Sequence, residues 1–514
     1  MPLLVAGSNA RGQLAVSDCE DRHRWTKSTG LSADAPLDAL CCGANHTLIV
    51  DKLGNLLGAG TNERGQLQVG AANEDCTRWT RLPTDTVVQA APLDVDAKEY
   101  TVVNVAATWE TSFVVLRPVD RTRSPASDLL LSFGANDWSE RGTAAATPNA
   151  TRVPLPGDLG AHRIVDLIAG PRHVVALVEV QDRTQGSPET PPRRLFGWGA
   201  SRQGQLGVPR SPPAPSVGTS SAALLPSPPP PRITPTPTEI PLPTPYTADH
   251  VLKIAVGKDH TALLLDREGD RKVLLLGSNK HGQLGPVRPG SGAARLSDNS
   301  AAEGKSASRA GPGQNLLSLG DLRLGDEADP PRRYRLADIG CTWNSTFLVL
   351  GSHPGPGEGT TSPASTRIVA FGSNSHGQLG RRDPSASASS SSAPSPSVLA
   401  FPSTVTRLAC GSEHVLALLD SGEVLGWGWN EHGNLSLGPP PPPDRNQELG
   451  AESGRGDGAA DEQPLADVYK PKRVWPPAGE DVALAGRAVN VWAGNATSWI
   501  SVEDEVGSAA GRGA

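Results

Sequence analysis

The sequence predicts an all-β protein. The expected architecture is a single seven-bladed β-propeller, closed by pairing its N- and C-terminal half-repeats, with long Pro-, Ser- and Gly-rich loop insertions. Three observations predict it. Of the 514 residues, 56 are Gly and 48 Pro, while aromatics make up only 4%. Gly and Pro are the poorest helix formers, so this composition suits short strands joined by tight turns. Two short strings alternate seven times along the chain, and the two ends carry complementary halves of one repeat.

The first string is AGSNARGQL at Ala6–Leu14, AGTNERGQL at Ala59–Leu67 and WGASRQGQLG at Trp198–Gly207. It returns as LGSNKHGQLG at Leu276–Gly285 and FGSNSHGQLG at Phe371–Gly380, with weaker copies at Phe133–Gly142 and Trp427–Leu435. These segments read as turns. Gly accepts positive φ without a Cβ clash, and Asn tolerates the left-handed region better than other residues. The Gln after the second Gly is placed to hydrogen-bond the turn backbone.

The second string is clearest in CCGANHTLIV at Cys41–Val50, AVGKDHTALLL at Ala255–Leu265 and ACGSEHVLALL at Ala409–Leu419. Relatives of it stand at Ile168–Val178, Ala106–Leu116, Gly340–Leu350 and Trp492–Val502. Its apolar runs, such as Thr47–Val50, are too brief for helices and are bounded by Gly and polar residues, so they read as strands. His46, His173, His260 and His414 share one position in it and read as buried residues holding strand or turn backbone.

The chain starts with the turn-bearing half of a repeat and finishes with the other half at Val489–Val502. A ring whose last blade draws on both ends needs this arrangement, and it leaves no free sheet edge. Residues 1–505 are therefore expected to form one propeller. Insertions expected to be disordered lie at 208–248, 286–330, 381–400 and 438–466, with a disordered tail at 506–514. Setting insertions aside leaves roughly 48 residues per unit, the size of a four-stranded blade. Segments this rich in Pro or Ser bury too little apolar surface to order themselves.

The net charge of −7 gives no concentrated basic surface, so no direct nucleic-acid binding is expected. No apolar run is long enough for a transmembrane span. A cytoplasmic location, with the nucleus as a second place, is the expectation. The six cysteines include no C-x-x-C pair and read as free, mostly buried thiols, so neither a zinc site nor a disulfide framework is expected. No Ser-His-Asp order, phosphate-cradling loop or paired carboxylates stand out. The chain is thus expected to be no enzyme, without catalytic residues, metal or cofactor.

The paired strings G-x-x-H-[ST] and [FWL]-G-S-N-x-x-G-Q-L-G resemble the repeats of the regulator of chromosome condensation family, which are seven-bladed propellers. Within it, a propeller starting almost at residue 1 in a mildly acidic chain is most similar to the fungal alpha-tubulin suppressor, or killer-toxin-insensitivity, branch. That resemblance implies an accessory protein forming a 1:1 heterodimer with the small zinc-binding electron carrier of diphthamide synthesis. It also implies a link to Elongator-dependent modification of the tRNA wobble uridine. The family's exchange factor for the small GTPase Ran supplies an alternative reading, and a cytoskeletal or ubiquitin-ligase scaffold another.

Candidate contact residues come from breaks in the repeat. Three units carry Thr111, Ser345 and Thr497 where the other four carry His. Two of these also bring Trp, in T-W-E-T-S around Trp109 and Glu110 and in T-W-N-S-T around Trp343 and Asn344. Asp137 and Trp138 break a turn string. Trp is costly to expose and enriched at interface hot spots. Trp109 and Trp138 are expected to share a contact surface. Trp343, in a distant unit, is expected to serve stability more than binding.

Overall fold

The computed structural model describes residues 1–31, 37–68, 75–90, 96–120, 127–144, 149–181, 190–207, 233–286, 313–322, 334–352, 365–382, 396–438, 466–477 and 486–503. They form seven four-stranded antiparallel sheets around one axis. Inner strand first, blade 1 is Leu37–Cys42, His46–Asp51, Leu56–Gly60 and Cys76–Arg81; blade 2 is Tyr100–Ala107, Thr111–Pro118, Leu129–Gly134 and Thr151–Arg152. Blade 3 is His162–Ala169, His173–Val180, Arg193–Ala200 and Ile233–Glu239; blade 4 is Val251–Val256, His260–Arg267, Asp270–Gly277 and Gly313–Ser318. Blade 5 is Tyr334–Cys341, Ser345–Ser352, Thr366–Gly372 and Ser397–Phe401; blade 6 is Val405–Cys410, His414–Leu419, Val424–Gly428 and Val468–Trp475. One short helix, Thr84–Ala90, follows blade 1, and no helix among the described residues is long and apolar enough to cross a membrane.

Blade 7 closes the ring as the half-repeats require. Its inner strands, Arg487–Ala493 and Thr497–Glu503, come from one end of the chain, and its outer pair, Leu3–Gly7 and Arg22–Lys27, from the other. Leu3 pairs with Ser501 and Gly7 with Thr497. Trp25 on the outermost strand crosses to blade 6, where its indole N–H donates to the Val474 carbonyl at 2.8 Å.

Each turn string is held by its own side chains. The Gln Oε1 accepts the amide two residues earlier, as with Gln13 and Arg11 at 2.9 Å, or Gln283 and His281 at 2.9 Å. The Asn residues do not sit in the left-handed region. Their Oδ1 instead accepts the amide five residues on, as from Leu14 to Asn9 and from Leu67 to Asn62, so Asn is there as an acceptor. Gly60, closing a third strand at φ +100°, does need to be Gly: a Cβ would stand 2.2 Å from the Asn45 carbonyl oxygen.

The four histidines hold side chains of the neighbouring blade rather than their own backbone. His46 Nε2 lies 3.0 Å from Ser112 Oγ, and the same distance separates His173 from Thr261, His260 from Thr346 and His414 from Ser498. The Ser112 and Thr346 hydroxyls also donate to the Gln66 and Gln283 carbonyls, at 2.7 and 2.8 Å. Those hydroxyls must therefore accept from the ring, which places the proton on Nε2 of a neutral imidazole. Burial pushes His46, His260 and His414 down to about 4, and His173, beside His260, down to about 3.

Three segments expected to be disordered instead carry outer strands: Ile233–Glu239, Gly313–Ser318 and Ser397–Phe401. Pro235 and Pro237 concealed the first. An outermost strand has one edge unpaired, so it accommodates residues that cannot donate to a ladder. Ile240 and Tyr246, just beyond it, are buried against the neighbouring blade. Of the expected insertions, 208–232, 287–312, 323–330, 383–395 and 439–465 lie outside the described residues, as does the tail at 506–514. All six cysteines are free; Cys341 is buried, Cys19 is exposed and the others lie between.

Candidate partner-binding cleft

The loops joining inner and second strands meet over one end of the axis. Their backbones link blade to blade: Ala44 N–H to the Trp109 carbonyl at 2.8 Å, Trp109 N–H to Pro171 at 3.1 Å, Lys258 N–H to Trp343 at 3.0 Å and Trp343 N–H to Ser412 at 2.8 Å. Trp109 and Trp343 extend from opposite sides and stack, ring centroids 5.6 Å apart and planes inclined by 42°. Both line a small axial cavity of about 120 Å³ that every blade helps to enclose. The expectation that Trp343 stands apart from Trp109 is therefore corrected. Two blades remote around a ring still meet when their inner loops reach the axis.

Trp138 joins the pair from the turn string of blade 2. A cleft of about 370 Å³ is lined by Trp109, Glu110, Asp137, Trp138 and Trp343, with Glu140, Pro171, Arg172 and Lys258. Trp109 and Trp138 are 42% and 41% exposed, unlike the other large aromatics, most of which are buried. Arg172 lies 4.5 Å over the Trp138 ring and Lys258 5.4 Å over Trp343, so each cation rests on an indole face. Arg64 binds Asp137 at 2.8 Å and reaches Glu110 at 3.7 Å. Asn344 is turned away, donating from Nδ2 to Glu413 Oε1 at 3.0 Å.

Glu140, Arg172 and Lys258 were missed in the sequence. Glu140 was open to detection, because it stands where five other turn strings have Gln. Its carboxylate accepts the Trp138 amide at 2.7 Å and the Thr111 hydroxyl at 3.3 Å, and burial pushes its carboxyl up. It thereby fixes Trp138 in its exposed position. Arg172 and Lys258 occupy variable positions of the G-x-x-H loops and carried no signal.

Among the described residues no group of three or more His, Cys, Asp or Glu could hold a metal ion. What the cleft offers is an aromatic shelf with fixed charges of both signs.

Models of the regulator of chromosome condensation (RCC1) repeat match residues 194–264, 367–418 and 405–434. The chain carries regulator of chromosome condensation repeats in these segments. It is 24% identical over 475 residues, 89% of its length and 82% of the relative's, to the secretion-regulating guanine nucleotide exchange factor of Bos taurus. It is 30% identical over 248 residues, 48% of its length and 45% of the relative's, to the RCC1-like G exchanging factor-like protein of Mus musculus. Among solved structures, Prp20p of Saccharomyces cerevisiae, described with its binding to Gsp1p and histones, superposes with a TM-score of 0.62 at 18% identity. That match covers 98% of this RCC1-repeat chain and 92% of Prp20p, and it shows the shared fold.

The expectation of a non-enzyme is overturned by these relatives, which are named as exchange factors, proteins that act catalytically on GTPases. The error has a physical source. Groups that make or break bonds leave motifs in a sequence, whereas release of a bound nucleotide needs only a surface that favours the empty state.

Proposed function

We propose that this RCC1-repeat propeller is a guanine nucleotide exchange factor for a small GTPase, and that the cleft around Trp109, Trp138 and Trp343 is where the GTPase docks. The observation that carries the reading is the convergence of all three symmetry-breaking tryptophans on one cleft. The similarity to a secretion-regulating exchange factor over most of both chains supports it. Such a protein accelerates release by binding the nucleotide-free GTPase more tightly than the loaded one. The tryptophans supply the apolar area for that contact. The cytoplasm, with the nucleus as a second place, is the proposed setting. Exchange displaces the reading in which the chain pairs with the zinc-binding electron carrier of diphthamide synthesis and works with Elongator.

The test is release of a fluorescent guanine nucleotide from a panel of small GTPases, Ran among them, at substoichiometric propeller. One GTPase should respond. Trp109→Ala and Trp138→Ala should each cost about 2 kcal/mol or more in binding it, and Trp343→Ala should weaken it too, because Trp343 supports Trp109. If no GTPase responds while the small zinc-binding protein is captured at 1:1, the exchange reading fails and the heterodimer stands.

A further inference from the structure

The inner strands enclose a second axial cavity, of about 470 Å³, towards the end of the ring opposite the tryptophan cleft. Each inner strand is bulged near its start, for example between Ile164 and Asp166 and between Val405 and Arg407. The residue after the bulge is thus equivalent in every blade. Four consecutive blades place alternating charges there: Asp166, Lys253, Asp338 and Arg407. The other three are uncharged, with Asn490, Ala39 and Asn104.

Two of the four charges satisfy each other, Lys253 Nζ lying 2.5 Å from Asp338 Oδ1. The other two are left over. The Asp166 carboxylate meets the amide of Leu167, while Lys253 acts on it only through space. The Arg407 guanidinium lies 5.4 Å over the Trp492 ring and makes no ion pair among the described residues, Asp338 acting on it only through space. Asp166 is half-buried and Arg407 exposed; desolvation pushes the Asp166 carboxyl up and the Arg407 guanidinium down. Asp166 belongs to blade 3 and Arg407 to blade 6, so the two face the lumen from opposite walls.

We propose that this cavity binds a small linear zwitterion, an ω-amino carboxylate, with its carboxylate on Arg407 and its ammonium on Asp166. The planar guanidinium suits a carboxylate through paired N–H donors. A simple anion would leave Asp166 unmatched and a simple amine would leave Arg407 unmatched; one molecule carrying both charges serves both. The inference does not rest on the exchange reading.

Calorimetric titration and saturation-transfer NMR of the full chain test it, with glycine, γ-aminobutyrate and 6-aminohexanoate as probes. Butyrate and butylamine are the single-charge controls. One zwitterion should bind about tenfold more tightly than either control. Arg407→Gln and Asp166→Asn should each lose about tenfold or more of that affinity at unchanged melting temperature. The proposal is overturned if no zwitterion binds the unsubstituted chain, if the controls bind equally well, or if both variants bind as the parent does. The comparison of probes on the parent chain decides the matter even if a variant does not fold.

Discussion

Six of the seven seams between blades come in two kinds. At four of them, blades 1–2, 3–4, 4–5 and 6–7, a buried His reaches a hydroxyl of the next blade. At blades 2–3 and 5–6 the His is replaced by Thr111 and Ser345, and the next blade offers Val174 and Val415 in place of the hydroxyl. There an indole takes over. Trp198 Nε1 donates to the Glu140 carbonyl at 2.7 Å, and Trp427 Nε1 to the Gln378 carbonyl at 2.9 Å. In pinned seams the equivalent carbonyls, of Gln66 and Gln283, are taken by the hydroxyls. A buried carbonyl must find a donor, so losing one partner is tolerated only when another replaces it. Of the three loops without His, those with Thr111 and Ser345 send Trp109 and Trp343 to the axis. The departures from the repeat thus relocate bonding and create the cleft in one change.

The largest expected effect separates the two kinds of seam by pH. The four histidines have an ordinary value of 6.5 and folded values of about 4 or about 3. As pH falls below that ordinary value, the unfolded chain takes up protons that the folded one refuses. Stability is therefore fully present above about 6.5 and is lost as pH falls towards about 4, by about 3 kcal/mol per histidine. Denaturant melts across this range check it; a stability that stays flat between about pH 7 and pH 5 would mean that the rings are not neutral buried pins.

The next largest effect belongs to the indole seams. Trp198 and Trp427 are fully buried, so Trp198→Ala or Trp427→Ala should cost about 3–5 kcal/mol without changing the pH slope. A smaller effect is expected at a pinned seam. Thr346→Val keeps the volume but strands the His260 N–H, costing about 1–3 kcal/mol. Pairing it with His260→Ala in a double-mutant cycle should show strong coupling; additive losses would mean the contact carries nothing. The smallest effect is expected in the loop between the third and outer strands of blade 3. Replacing 208–232 by a short Gly-Ser linker should change stability by less than about 1 kcal/mol. Extending the replacement to Asp249 removes the outer strand and the buried Ile240 and Tyr246, and should cost several times more.

The ring, its blade count and its closure were legible because each rests on local chemistry that repeats: a Gly at positive φ, a Gln or Asn acceptor at fixed offset, a short apolar run. The outer strands were not, because an edge strand needs neither a strong apolar pattern nor every N–H. That Trp109, Glu110, Asp137 and Trp138 depart from the repeat was legible because symmetry makes exceptions visible. The stacking of Trp109 on Trp343 was hidden, since separation along a cyclic repeat says little about distance at its centre. The His-to-hydroxyl rule was also within reach: His occurs only where the following unit has Ser or Thr after its own His position.

The composite blade has a consequence for how the molecule is made. Leu3–Gly7 is translated before all six other blades, whereas its partner Thr497–Glu503 follows them. Six blades can take shape while the hairpin of Leu3–Gly7 and Arg22–Lys27 waits with an unpaired edge, exposed to chance pairing as they are made. A nascent chain stalled before Thr497 would thus hold most of its blades while still depending on a chaperone.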